Sequence, residues 1–272
     1  MHPILIDFAG ITVSSYAVTL AAALVVAITL AVREAERRQV PVNYFLAVGL
    51  LLGGMVGARA FWIVQYGELH DVWRAVFVWS PGMVLYGGVL GGLVTLLVHH
   101  RIRRLPLLPS MDVLAPHVAL GEAIARIGCF LAGCCWGRIC SMPWGVQFPA
   151  GSYPYGDQFD AGLLDAVAQH SLPIHPTQLY MAAGLVAGFI LLRRTLHRQH
   201  PQGWIVASYF AYYGALRFAV DAFRGDGARP FLGMTVSQAI SVALFLGGIA
   251  GLAGIRWNDR SRRDERHSVE ES

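Results

Sequence analysis

Along this chain the apolar residues fall in long blocks separated by short polar connections, and the blocks approach the roughly 17–25 residues that a helix needs to cross a bilayer. Seven can be drawn, at about Thr12–Val32, Tyr44–Val64, Met83–His99, Asp112–Gly133, Gln178–Leu192, Trp204–Val220 and Thr235–Ile255. The third and fifth are short for a span. The first carries no charge and is preceded by neither a basic stretch nor a small-residue cleavage site, so it reads as a retained helix. The pattern predicts an all-α polytopic membrane protein of about seven transmembrane helices. One membrane domain would cover residues 1–255, with a basic, polar cytoplasmic tail at 256–272. An extracytoplasmic cap at 134–176, rich in Gly, Pro, Trp and acidic residues, would join helices four and five.

Composition agrees. Of 272 residues, 55% are hydrophobic and only 14% charged, at a mean hydropathy of +0.50, which leaves too little polar surface to clothe a soluble globule. The net charge of +4 and pI near 9.0 would suit nucleic acid, but the placement of the charges points elsewhere. Every basic residue of the Lys/Arg class is Arg. Arg33, Arg37 and Arg38 follow the first span, Arg101, Arg103 and Arg104 the third, Arg193, Arg194 and Arg198 the fifth, and Arg256, Arg260, Arg262, Arg263 and Arg266 the seventh. The alternate connections hold only Arg74, Arg138, Arg224 and Arg229. By the positive-inside rule the N-terminus is expected outside and the C-terminus in the cytoplasm, and no nucleic-acid partner is needed to explain the charge.

Arg59, Arg126 and Arg217 remain, and all three fall inside spans. A charge there costs a few kcal/mol, so each marks a binding site or a pairing contact. Glu122 lies one turn from Arg126 and Asp221 one turn from Arg217, spacings that permit ion pairs. Given the expected topology, Arg59, Arg126, Tyr213, Arg217, Tyr16 and the Tyr86-Gly87-Gly88 stretch all come to the outer half of the membrane. The glycines of "LLGGMVGAR" and "YGGVLGG" are spaced to let helix backbones approach closely. His175, in "HPTQLY", is either a capping and hydrogen-bonding residue or a catalytic one. Cys129, Cys134, Cys135 and Cys140 lie close in sequence, but the adjacent pair is poor chelating geometry, so no metal is expected. A disulfide from Cys140 to Cys134 or Cys135 is compatible with an oxidising outer face, and the sequence leaves that pairing open.

Four ordered blocks, "GEAIARIGCFLAGCCWGR", "HPTQLY", "YGALRFAVDAFRGD" and "MVLYGGVLGG", together resemble the bacterial prolipoprotein diacylglyceryl transferase family, the first against its "GRIGNFxNGExWGR" signature. The resemblance spans nearly the whole chain. It implies transfer of the diacylglyceryl group of phosphatidylglycerol to the lipobox cysteine of a prolipoprotein, with release of glycerol phosphate. The partners implied are phosphatidylglycerol, prolipoprotein signal peptides and the lipid bilayer, with no cofactor. The implied location is the bacterial inner membrane, with the active site facing the outer leaflet.

Residue by residue, Arg126 matches the headgroup-binding arginine, and Arg217 with Tyr213 matches the "YGxxR" pair. Arg59 and Tyr16 fall where the family places conserved residues, with a weaker local motif. Arginine suits the task because its planar fork grips phosphate oxygens bidentately and stays charged. Tyr86 stands where the family's best-known form has His. A phenol with a pKa near 10 is a poor base unless a cation lowers it, so Tyr86 with arginine help, Glu122 or His175 could take the acceptor proton. Cys129 and Cys134 replace the family's Asn and Glu. Two alternatives follow from these departures and from the charges: a divergent paralogue with another acceptor, and a non-enzymatic anion or lipid transporter. The inner halves of the spans carry almost no polar residues, which favours a one-sided enzyme.

Overall fold

A computed structural model of the chain describes residues 4–8, 11–66, 84–226 and 233–270. Seven long helices occupy the seven apolar blocks: α1 (Ser15–Arg37), α2 (Tyr44–Tyr66), α3 (Leu85–Arg103), α4 (Leu107–Ala132), α6 (Thr177–Leu196), α7 (Trp204–Asp221) and α8 (Val236–Glu270). A short helix, α5 (Tyr153–Asp160), lies in the connection between α4 and α6. Five of them, α1, α2, α4, α6 and α8, are long and apolar enough over a continuous stretch to cross a membrane. The chain is thus a multi-pass helical membrane protein.

Two features were not legible in the hydropathy. Residues Ile4–Phe8 (β1) and Ile11–Ser14 (β2) form a two-stranded antiparallel hairpin, so the first block starts as strand and turns helical only at Ser15. Ser14 marks the change: its hydroxyl accepts the Ala17 N–H at 3.1 Å, a helix N-cap contact. Helix α8 continues through residues 256–270, which the charge pattern alone sets apart as a tail. The start of the third block, Met83, lies outside the described residues, as do Arg74 and Arg229.

The chain forms two compact units, Ile28–Ser110 and Met1–Ala27 with Met111–Ser272. The first is built on α2 and α3. Here Gly57 faces Gly87 and Gly91, and a Cβ on Gly57 would overlap the Gly87 carbonyl oxygen. The two backbones therefore touch, as small residues permit in lipid. On α2 the apolar residues Phe45, Val48, Leu52, Val56 and Val64 are exposed, as expected of a surface whose solvent is hydrocarbon.

The second unit positions the site. Asp112, near the start of α4 and buried, accepts the backbone N–H groups of Gly203 at 2.7 Å and Val206 at 2.9 Å. Those are orphan donors at the N-terminus of α7, so a carboxylate there satisfies both hydrogen bonding and the helix dipole. Further along the same two helices Glu122 meets Tyr213, so α4 and α7 run parallel. Helix α6 runs against them: Leu192 and Leu196 pack with Ala115 and Ile205, while Met181 and Leu185 pack with Ala119, Ala123 and Val220. Helix α8 closes on α7 through Gly214 and Gly248, where a Cβ would overlap the partner backbone.

Candidate active site

Helix α4 ends in a turn dictated by its glycine. Gly133 adopts φ +76°, its N–H bonds Phe130 O at 3.3 Å, and the Cys134 N–H bonds Cys129 O at 3.1 Å. This is the Schellman arrangement, in which a left-handed residue ends the helix and folds the chain back over the last turn. Cys135 follows with φ 58°, unusual for a side chain with a Cβ. Its carbonyl accepts the Thr177 hydroxyl at 2.8 Å, and the Cys134 carbonyl accepts the Gln178 amide at 2.7 Å. The start of α6 thereby clamps the end of α4.

The next residues join a third segment. Arg138 N–H bonds Phe223 O at 2.8 Å and Gly225 N–H bonds Trp136 O at 3.1 Å, an antiparallel bridge between Gly137 and Arg224. The Arg138 guanidinium donates to the Ala222 carbonyl. His175 N–H reaches Arg138 O at 2.9 Å. Three sequence blocks far apart in the chain are thus tied by backbone hydrogen bonds, which is why "CCWGR", "HPTQ" and "FRGD" meet.

A narrow cleft opens where they meet, lined by Arg126, Cys135, Thr177, Gln178, Met181, Arg217, Val220 and Arg224. Three guanidiniums face it. Arg126 is held by Glu122, whose Oε1 takes Nη2 at 2.6 Å and Nε at 3.2 Å. The same oxygen accepts the Tyr213 hydroxyl at 3.3 Å. Arg217 donates through Nε to the Ser237 hydroxyl at 2.8 Å and pairs through Nη2 with Asp221 at 3.3 Å. Arg224 forks onto Asp226, with two contacts of 2.8 Å, and reaches Asp221 at 3.5 Å. Burial works against the Arg224 cation, but the hydrogen bond and charge of Asp226 outweigh it and hold its pKa above the usual arginine value. Asp221 is buried and also accepts the Thr235 hydroxyl at 2.6 Å.

Both ion pairs foreseen from the one-turn spacings are formed. Of the residues expected at the site, Arg126, Glu122, Tyr213 and Arg217 come together in this unit. Tyr16 opens α1 beside Gly128 of α4, where a Cβ would overlap Thr19 and lie 3.4 Å from Tyr16 Cα. His175 lies in the connection below α6: its Nδ1 is 3.1 Å from the Tyr180 hydroxyl, which also accepts Trp144 Nε1 at 2.8 Å, and its ring packs 5.1 Å from Phe223. Arg59 and Tyr86 belong to the other unit. Arg59 is buried with its guanidinium 4.9 Å from the Trp62 ring centre, and Tyr86 is exposed in the first turn of α3.

The sequence places Arg224 in a connection, offers Thr177 only as a polar group at the mouth of a helix, and gives Gln178 no role beyond opening the fifth span. The signal available for Arg224 was the "FRGD" stretch itself, a guanidinium between two carboxylates, Asp221 and Asp226, that a mere loop would not require. The disulfide considered for Cys140 is not formed; all four cysteines are free thiols.

Three guanidiniums lining one cleft of a helical membrane protein, each paired with a carboxylate, are the chemistry to be accounted for. Comparison with known proteins narrows this. The profile of the family "Prolipoprotein diacylglyceryl transferase" matches residues 3–253. A protein of Lactiplantibacillus plantarum named phosphatidylglycerol–prolipoprotein diacylglyceryl transferase is 30% identical over 97% of this chain and 92% of its own length. Proteins with the same name from Cupriavidus necator and Clostridium tetani are 33% identical over 76% of the chain and 71% of their own length, and 26% identical over 92% and 96%, respectively. The chain belongs to the prolipoprotein diacylglyceryl transferase family.

Proposed function

We propose that this chain transfers the diacylglyceryl group of phosphatidylglycerol to the lipobox cysteine thiol of prolipoproteins, the first step of lipoprotein maturation. The observation that carries the proposal is the convergence of Arg126, Arg217 and Arg224 on one cleft in a membrane protein of this family. In the reaction a C–S bond forms at the glyceryl carbon while the C–O bond to phosphate breaks. The thiol proton passes to water or to the departing glycerol phosphate, which carries away the bonding pair. Negative charge therefore grows on the leaving oxygen, and fixed cations placed there stabilise the transition state more than the ground state.

Arg126 and Arg217 grip the phosphate in this reading, with Arg224 as a third cation. Tyr213 bonds the carboxylate that orients Arg126. Glu122 is engaged by Arg126 and Tyr213 through Oε1, which suits it to positioning. His175 shares its Nδ1 with Tyr180 and orders the connection between cap and α6. Tyr16, Arg59 and Tyr86 are retained as site residues on the family resemblance. The proposed setting is the bacterial cytoplasmic membrane with the cleft toward the outer leaflet, residues 134–176 forming an extracytoplasmic cap. A transport pathway would need accessible polar groups at the far end of the helices. Asp112, the acidic residue there on α4, is instead consumed by the Gly203 and Val206 N–H groups.

The test is complementation of a bacterium depleted of its own diacylglyceryl transferase, read as the mass gain on a reporter lipoprotein's cysteine. Conversion by the native chain and its loss in Arg126→Ala, with equal amounts of protein in the membrane, is the expected result. Absence of conversion by the native chain would overturn the proposal.

A further inference from the structure

The mechanism above leaves three thiols beside the cleft without a task. Cys129, Cys134 and Cys135 bring their sulfur atoms within 4.8 Å of one another, Cys129 buried and the other two partly so. Adjacent cysteines in an extended chain point to opposite sides, which is why their spacing argues against chelation. The turn described above removes that objection. Its Schellman closure lays Cys134 over Cys129, and the left-handed backbone at Cys135 swings the third sulfur to the same side.

The arrangement is also braced from outside. Gln178 holds the Cys134 carbonyl and Thr177 holds the Cys135 carbonyl, so both backbones are fixed without using the sulfurs. Zinc lies about 2.3 Å from each thiolate it binds, which puts bound sulfurs roughly 4 Å apart. A trio already gathered within 4.8 Å closes on an ion by small side-chain movements. A cation also stands beside the trio: Arg126 Nη1 approaches Cys135 Sγ at 4.0 Å. Three thiolates with one divalent ion leave a single negative charge, beside the Arg126 guanidinium.

We propose that Cys129, Cys134 and Cys135 form a three-thiolate site for a thiophilic cation of the zinc(II) and copper(I) kind, at the edge of the arginine cleft. The three thiols give up their protons on binding, and the fourth position of a tetrahedral ion stays open to an external ligand. Cys140 takes no part. The test reads metal binding directly and does not depend on transferase activity.

The full-length chain, purified in detergent under metal-free reducing conditions without a thiol reductant, is titrated with cobalt(II) and then zinc(II). The expected result is a near-ultraviolet sulfur-to-cobalt charge-transfer band that saturates at one ion per chain and is abolished by zinc. In C129A and C134A the band should fall by about a third or more and zinc affinity by at least about tenfold, whereas C140A should behave as the native chain. A native chain that shows no such band, or that binds ion without one through its histidines, overturns the proposal. So does a band that survives both C129A and C134A. Because the native titration alone can overturn it, the proposal stays exposed even if a cysteine variant fails to fold.

Discussion

Glu122 Oε1 lies 2.6 Å from Arg126 Nη2 and 3.2 Å from Nε, so the carboxylate takes the rear edge of the guanidinium and leaves Nη1 on the side of Cys135 and the cleft. An arginine held this way cannot swing away from its cleft-facing geometry. Glu122→Gln keeps an acceptor but removes the counter-charge of a largely buried cation. A hydrogen bond to a charged group contributes about 1.5–3 kcal/mol, and the variant should lose up to about that much stability. It should also lower kcat/KM by about tenfold or more. Thermal unfolding in detergent and initial rates on a reporter prolipoprotein check the two effects separately.

Arg126→Lys isolates geometry from charge. An ammonium supplies the cation but not the planar fork, so it can neither span Glu122 and the cleft together nor hold two phosphate oxygens. Loss of one preorganised donor at a developing oxyanion costs about 10²–10³ in rate. The lysine variant should sit in the membrane at native levels and retain no more than about one per cent of activity. Rates close to native would remove Arg126 from the phosphate site.

Tyr213→Phe keeps the ring, which packs 5.6 Å from Tyr209, and deletes only the hydroxyl on Glu122. The unfolding temperature should move little. Activity should fall by about ten- to a hundredfold, the equivalent of about 1.4–2.7 kcal/mol. An unchanged rate would show that Arg126 needs only its carboxylate for orientation.

The seven long helices were legible because lipid imposes one rule on the whole length of a span, and the same holds for the one-turn pairs Glu122–Arg126 and Arg217–Asp221. Glycine-mediated contact of α2 and α3 was legible for the same local reason. What escaped was non-local. Arg224 joins the cleft only because Gly137 and Arg224 bridge two segments far apart in the chain, and no hydropathy or spacing signal reports such a pairing. Gln178 and Thr177 looked like the polar start of a helix, yet they bond the carbonyls of Cys134 and Cys135. The hairpin of β1 and β2 was hidden because its second strand runs without interruption into α1.

Asp112 separates a structural carboxylate from the catalytic set. Asp112→Ala would leave the N–H groups of Gly203 and Val206 without their acceptor at a buried helix start. Loss of such a cap costs about 0.5–2 kcal/mol, and burial places this one toward the upper end. Because the cap sits at the opposite end of α4 and α7 from Arg126 and Tyr213, kcat/KM measured well below the unfolding temperature should stay within about threefold of native. A large rate loss with unchanged thermal stability would move Asp112 into the working site.

Asp221 is the converse case, a carboxylate on which both stability and activity rest. It is 1% exposed, and its Oδ1 faces Arg217 at 3.3 Å and Arg224 at 3.5 Å while Oδ2 accepts Thr235 at 2.6 Å. Asp221→Asn leaves two cations facing each other across a neutral amide, and removing one partner of a buried pair costs about 3–5 kcal/mol. Arg224 keeps Asp226, so part of the charge is still met, and the loss should lie at or below the lower end of that range. The rate should fall as well, because Arg217 loses its Asp221 anchor and, among the described residues, retains Ser237. Arg224→Gln in the same background then decides what Arg224 does. If its role is only to be neutralised by Asp221, deleting its charge should recover stability and activity together. If it holds phosphate, stability should recover while activity falls further, which is the outcome expected from a guanidinium lining the cleft. Unfolding temperature and kcat/KM, measured on the two single variants and the double variant, close the cycle.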